Sequence, residues 1–260
     1  MSIFFDHTDP DARIVGGTQA AAGSHPHMVA MSTGLLIKSF LCGGSLITQR
    51  TVLTAAHCIW GAPYYVNNNS VRKNESTTRV TVGTNRWNSG GQTYSLSRHV
   101  IHSQYNSNNI KNDIGVLITS STVVLNNQVR TASITYAFIG GGVSARVAGW
   151  GRTRAGGSLS ATLLELRTTT ITGNDCVQRV ARAVIDLNIR APHVDPNIEV
   201  CTFHSTGFGT CNGDSGSALR RNDNGQQFGI VSWGFPCARG APDMFVRLSA
   251  YQNWLRTNTV

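Results

Sequence analysis

The 260-residue chain is 40% hydrophobic and only 13% charged, with 27 glycines and six cysteines, which excludes a disordered or coiled-coil protein. Its net charge of +9 comes from scattered basic residues, with no run longer than Arg220-Arg221. That pattern suits a solvated basic surface better than a heparin- or nucleic-acid-binding module.

Short apolar runs broken by Gly, Asn and Ser favour an all-β fold, long enough for one large domain or two small lobes. None reaches the roughly 18 apolar residues of a membrane span. No cysteine lies in a Cys-x-x-Cys pair, which argues against a zinc ribbon or a thioredoxin-like site; an even number spread along the chain suits three disulfides and an oxidising compartment. The opening Met1-Ser-Ile-Phe-Phe-Asp stops its apolar run at Phe5 and does not read as a signal peptide, so secretion implies a leader removed upstream. Asn68 and Asn74 begin glycosylation sequons in a polar loop. Of 22 basic residues only Lys38, Lys73 and Lys111 are lysine and 19 are arginine. Arginine keeps its charge where lysine loses it, near pH ~10.4. The bias suits an alkaline fluid, although genome-wide codon bias gives the same count.

Residues 1–13 are polar and acidic, ending in Arg13, and Ile14-Val15-Gly16-Gly17 follows abruptly. An exposed arginine before a β-branched pair and two glycines reads as a cleavage site for a trypsin-like protease. Residues 28–60 alternate apolar runs with glycine and culminate in Cys42-Gly-Gly-Ser-Leu-Ile-Thr and Val52-Leu-Thr-Ala-Ala-His57-Cys58. A Cys42–Cys58 bridge closes a short loop and holds the imidazole in place. Taken alone, His57 reads first as a structural histidine. Residues 61–78 hold one carboxylate, Glu75, too few for a calcium loop. Strand-like runs follow at 79–82 and 94–101. Asp113 then stands at the entrance to Ile114-Gly-Val-Leu-Ile118, where it is either a buried carboxylate needing a partner or a turn cap.

Residues 120–146 read as a connection with a lobe boundary near 129–133, and Val147-Ala-Gly-Trp150-Gly151 opens the second half with a strand. Asn174 or Asp175 is the predicted cap of a short helix over 176–182. Residues 209–216 read Gly-Thr-Cys-Asn-Gly-Asp-Ser-Gly. Serine is a poor nucleophile until it has a base, a fixed position and a site for the oxyanion. Gly213 and Gly216 let the backbone turn sharply and present N–H groups, and Cys211 can tie the loop down. The same composition also suits a surface turn. The tail has an N-cap at Ser249 and apolar Tyr251, Trp254 and Leu255 at helical spacing, predicting a docked helix over about 249–256.

His57, Asp113 and Ser215 fall in the chain order of chymotrypsin-type proteases. Together with Ile-Val-Gly-Gly, Leu-Thr-Ala-Ala-His-Cys, Asn-Asp-Ile-Gly-Val-Leu, Gly-Asp-Ser-Gly and Ile230-Val-Ser-Trp-Gly234, they make the chain resemble the chymotrypsin/trypsin (S1) family of serine proteases over residues 14–260. The resemblance implies two six-stranded antiparallel β-barrels, at about 28–130 and 131–246, with a short intermediate helix and a C-terminal helix. It implies Ser215 as nucleophile, His57 as general base and then acid, and Asp113 as the carboxylate orienting His57. It also implies an oxyanion hole from the N–H groups of Gly213 and Ser215, and disulfides Cys42–Cys58, Cys176–Cys201 and Cys211–Cys237. Residues 1–13 would be an activation peptide, cleaved after Arg13 so that the Ile14 amine pairs with Asp214. With Arg13–Ile14 intact, Ile14 is expected away from Asp214, and Gly213 N–H misdirected.

By the same resemblance the substrate site would comprise Gly209 at the pocket base, Thr210 beside it, Gly234 on the wall, Asp243 at the back, and Asn212, Ser232 and Trp233, with Ser232 and Gly234 pairing the substrate backbone as an added strand. Trypsin-like members carry an aspartate at the Gly209 position; chymotrypsin-like members lack the carboxylate of Asp243. The combination looks most like the collagenolytic serine proteases of insects and crustaceans, with large apolar, aromatic and some basic residues accepted at P1. Read without the family, Asp243 is also a plausible loop acid facing solvent. Ser217-Ala218 replaces the family's usual Gly-Pro, adding a side chain beside the serine turn. Expected partners are polypeptide substrates, an activating trypsin-like protease and protein protease inhibitors, with no nucleic acid, membrane, metal or cofactor; the expected state is a secreted monomer of digestive class in an alkaline lumen. The competing reading is a protease-like binding protein with a vestigial cleft, which usually loses the Ser or the His.

Overall fold

The structure, a computed structural model, describes residues 14–34, 37–59, 77–235 and 237–260, and the backbone of two short strands at Tyr64–Val66 and Asn69–Val71. The expected activation peptide with Arg13, and the sequons at Asn68 and Asn74, lie outside the residues whose side chains are described. In chain order the strands are β1 (Thr18–Gln19), β2 (Met28–Thr33), β3 (Ser39–Leu46), β4 (Thr51–Thr54), β5 (Tyr64–Val66), β6 (Asn69–Val71), β7 (Arg79–Val82), β8 (Gln92–Ile101) and β9 (Gly115–Thr119). They continue with β10 (Ser144–Gly149), β11 (Leu164–Ile171), β12 (Glu199–Phe203), β13 (Ala218–Arg221), β14 (Gln227–Gly234) and β15 (Asp243–Arg247). The helices are α1 (Ala56–Ile59), α2 (Gly173–Asp186) and α3 (Gln252–Asn258).

Six strands close the first barrel in the order β2-β3-β4-β9-β8-β7. The second runs β11-β10-β13-β14-β15-β12 and closes through β11–β12, with β1 added outside on β11; every one of these pairings is antiparallel. Closure leaves no long exposed edge, the usual answer to unpaired strand N–H and C=O groups. Each barrel has its own apolar filling. Val29, Met31, Leu46, Val52, Val80 and Leu117 fill the first. Val147, Leu164, Leu166, Val200, Phe228 and Phe245 fill the second, joined by Ile14 from the start of the described chain.

Strand patterns show how the barrels meet. In β11 buried residues alternate with more exposed ones, as a strand with one wet face should. All eight residues of β14 are buried, because its second face meets the other barrel. There Leu53, Ile114, Val116 and Ile118 pack against Ile230, Val246, Tyr251 and Leu255. The chain stitches the joint again at its end, where Val260 N–H donates to Thr51 Oγ1 at 3.1 Å.

Two predicted helices need correction. The helix over 176–182 is α2 at Gly173–Asp186, capped by Thr172 rather than by Asn174 or Asp175. Thr172 has the extended backbone a cap requires, and its hydroxyl accepts from Asp175 N–H at 3.1 Å. Asp175 instead sits in the first turn and pairs with Arg179, four residues on. At the tail, a 3-10 turn at Leu248–Tyr251 precedes α3, and neither has a side-chain cap, so Ser249 does not cap a helix.

Candidate active site

His57 stands on α1, immediately after β4. Ala55 and Ala56 are fully buried before it, and the Cys42–Cys58 bridge ties the helix to β3. Closing that 16-residue separation restricts the unfolded chain by about 3 kcal/mol. Asp113 lies just before β9 and is only 1% exposed. Its residue neighbour Asn112 takes a left-handed backbone (φ 54°) and is held by Tyr251, whose hydroxyl donates to Asn112 Oδ1 at 3.0 Å.

The Asp113 carboxylate gathers three donors. His57 N–H donates to Oδ1 at 2.8 Å, the ring Nδ1 lies 2.7 Å from Oδ2, and Ser232 Oγ donates to Oδ2 at 2.6 Å. A buried carboxylate needs such company. Because the carboxylate accepts, Nδ1 carries the ring hydrogen, which leaves Nε2 as a lone-pair acceptor. The sulfurs of Cys42 and Cys58 are close to the imidazole, but both are bound in the disulfide and cannot serve as thiolate ligands.

Ser215 sits on a turn between β12 and β13 that is pressed against β3 and β4. Gly43 N–H donates to the Ser215 carbonyl at 2.9 Å, and Thr54 Oγ1 donates to the Gly43 carbonyl at 2.9 Å. Gly216 has φ +82°, and a Cβ there would lie 2.2 Å from Thr54 Oγ1. Gly213 has φ +99° and no room beside Leu159 and Gly151. Both glycines are therefore required by the turn. Cys211–Cys237 anchors its start, and Cys176–Cys201 ties α2 to β12. Ser215 Oγ and the N–H groups of Gly213 and Ser215 make no hydrogen bond among the described residues.

The trypsin family model matches residues 14–255. The chain belongs to the trypsin family of serine proteases. It is 34% identical to a chymotrypsin of Phaedon cochleariae over 96% of this chain and 84% of that protein. It is 32% identical to trypsin of Sus scrofa, over 96% of both chains, and 34% identical to alkaline trypsin B of Manduca sexta, over 95% of this chain and 91% of that one. As a serine endopeptidase of this family it acts on polypeptides. Among the described residues no helix is long and apolar enough to cross a membrane.

Asp214, beside the serine, is fully buried. Its Oδ1 accepts from Gly151 N–H at 2.8 Å and its Oδ2 from Cys211 N–H at 3.0 Å, and among the described residues it has no ion pair. Burial pushes its carboxyl up to about 7, against the two amide bonds. Ile14 is fully buried in the second barrel's apolar filling, and Val15 carbonyl accepts from Gly209 N–H at 3.1 Å.

Gly209, Thr210, Gly234 and Asp243 come together. Thr210 N–H donates to Asp243 Oδ2 at 2.9 Å, a Cβ on Gly209 would lie 3.0 Å from the same oxygen, and Gly234 pairs with Asp243 across β14–β15. Burial pushes Asp243 up to about 7 as well, although the residue keeps some exposure. Two expected lining residues behave differently. Trp233 is 1% exposed as a whole residue and its ring donates to Glu199 Oε1 at 2.7 Å, so its side chain does not line an open surface. Asn212 accepts from Arg152 N–H at 2.7 Å through its backbone carbonyl, and among the described residues its buried side-chain Oδ1 makes no hydrogen bond. Ser232 keeps its strand position and also gives its hydroxyl to Asp113, a role with no signal in the local sequence. Gly43 and Thr54, which dock the serine turn, were also missed; the Cys42-Gly-Gly run was the only hint.

Proposed function

We propose that this chain is the precursor of a secreted, broad chymotrypsin-like endopeptidase of digestive type, activated by cleavage after Arg13. The single observation that carries this reading is the grip of Asp113 on both the backbone and the ring of His57. Ser215 Oγ attacks the scissile carbonyl carbon while its proton passes to His57 Nε2. The oxyanion is met by the N–H groups of Gly213 and Ser215. His57 then protonates the leaving amine, and water repeats the sequence in reverse to free the acid from the acyl-enzyme. Asp113 keeps the ring in the right tautomer and stabilises its charged form.

Two features support the precursor reading. The Asp214 carboxyl is buried without a cation among the described residues, and Ile14 follows Arg13 directly in the chain. Cleavage creates an ammonium at Ile14, and Asp214 is the group it would neutralise. The P1 reading rests on the pocket residues. With no side chain at Gly209 the base accepts a large apolar or aromatic group, and Asp243 beside it attracts an arginine or lysine. Beyond Val231, whose backbone bonds Gly216 and Ser217, the β13 side of β14 has no strand paired to it among the described residues, which supports a substrate backbone pairing with Ser232 and Gly234. An activating trypsin-like protease and protein inhibitors are the partners this chemistry implies.

The test is to treat the intact chain with trypsin and profile it on peptides varied at P1. Turnover should appear with cleavage at Arg13–Ile14, favour Phe, Tyr and Leu with some Arg, and be absent from Ser215→Ala. Turnover before cleavage, or confined to Arg and Lys, would contradict the reading.

A further inference from the structure

A polar cavity lies against β10 and β13 of the second barrel, and His57, Asp113 and Ser215 are not among its lining residues. It has a volume of about 180 Å³ and is lined by His25, Arg146, Arg220, Arg221 and Asn222, with Ala148 and Ala218. That is room for a small oxyanion and water. Arg221, Asn222 and Gly225 at its mouth keep some exposure.

The charges in it do not balance. Arg221 Nε is bound by Asp223 at 2.9 Å. Glu165 is held by His25 Nε2 at 2.6 Å, and Arg146 Nη1 reaches the same oxygen only at 3.4 Å. Arg220 has no carboxylate among the described residues; it donates to the Gly225 carbonyl at 2.6 Å and meets His27 Nδ1 at 3.2 Å. Arg146 Nε and Asn222 Oδ1 are buried and make no hydrogen bond. A guanidinium shielded from water without a counter-ion is costly, and so is an orphaned donor.

From this arrangement we infer that the cavity is a binding site for a small hydrogen-bearing oxyanion of the inorganic phosphate type, held by Arg146, Arg220 and Arg221. Guanidiniums match oxyanion geometry with paired N–H groups. A hydrogenphosphate also offers one O–H donor, which suits the unpaired Asn222 Oδ1; sulfate at neutral pH has none. Burial, with Arg220 adding to it, holds the His27 pKa well down, and burial holds His25 down against the pull of Glu165.

The test is calorimetric titration of inorganic phosphate into the intact chain at fixed ionic strength, with sulfate and chloride in parallel. Expected is saturable phosphate binding, tighter than sulfate, weakened about tenfold or more in Arg146→Gln and in Arg221→Gln. Both are only partly buried, and their unliganded melting curves check that the barrel is intact. Absence of saturable binding, or binding unchanged in folded variants, overturns the site. Sulfate binding as tightly as phosphate overturns the role of the O–H donor.

Discussion

Ser232 and Asp113 are 119 residues apart in sequence, and the serine hydroxyl donates to Asp113 Oδ2 at 2.6 Å. The same oxygen meets His57 Nδ1 at 2.7 Å, so one atom from the second barrel helps to hold a carboxylate that orients a histidine of the first. Ser232→Ala removes a hydrogen bond to a charged group, worth about 1.5–3 kcal/mol. We expect kcat of the cleaved enzyme to fall roughly tenfold or more with KM little changed, and Ser232→Thr to recover part of it. An unchanged kcat in Ser232→Ala would show that the two His57 contacts suffice.

Asp113→Asn keeps the shape but offers an amide where His57 Nδ1 needs an acceptor. The ring is then held in the wrong tautomer, and kcat should drop on the order of 10⁴-fold. Steady-state kinetics on a Phe-containing peptide check this. A loss under tenfold would mean that His57 is oriented by something else.

The docking of the serine turn on β3 and β4 leaves no space for a methyl group. Gly216→Ala would put a carbon 2.3 Å from the Gly43 carbonyl at a positive φ, so the turn must move away from His57. We expect several kcal/mol of lost stability and loss of turnover, on the order of 3 kcal/mol or more for overpacking with backbone strain. Denaturant unfolding and activity of the same sample measure both.

Asp214 gives the uncleaved chain a pH signature. Its folded pKa of about 7 stands above the ordinary 3.8, so the folded state holds the proton more tightly. The stabilisation is complete below about pH 4 and is lost as pH rises through about 7, an effect of up to ~4 kcal/mol. Thermal unfolding at pH 5 and pH 8 should therefore differ more in the uncleaved wild type than in Asp214→Asn. Cleavage should reduce the difference by giving Asp214 an ammonium partner. Equal slopes in wild type and variant would refute this.

If Asp243 serves the proposed pocket, the selectivity should titrate. As the pH rises through about 7 the carboxyl ionises, and cleavage after Arg should gain on cleavage after Phe. Asp243→Gly should remove that trend and cut Arg cleavage while leaving Phe and Leu largely untouched. Equal losses on both substrates would place the carboxylate outside the pocket.

The triad segments were legible because each is a short motif at the end of an apolar run. Val52-Leu-Thr-Ala-Ala precedes His57, Asp113 opens β9, and two glycines at positive φ flank Asp214-Ser215. What could not be read are pairings made only by folding. The Gly43–Ser215 bond and the Ser232–Asp113 bond join distant segments and leave no periodic trace. The α2 cap was misplaced because Asn and Asp are good caps by type, whereas Thr172 has the extended backbone that decides the position. Trp233 was placed at the substrate by resemblance alone; the buried Glu199 that turns its ring inward is 34 residues away.

The most direct measurement is fluorophosphonate labelling of the intact and trypsin-cleaved chain, with the adduct located by peptide mass spectrometry. One adduct on Ser215 is expected in the cleaved protein, with little in the uncleaved chain and none in His57→Ala. A cleaved, folded sample that stays unlabelled at Ser215, or labels equally well without His57, would contradict the assignment of these two groups as nucleophile and base.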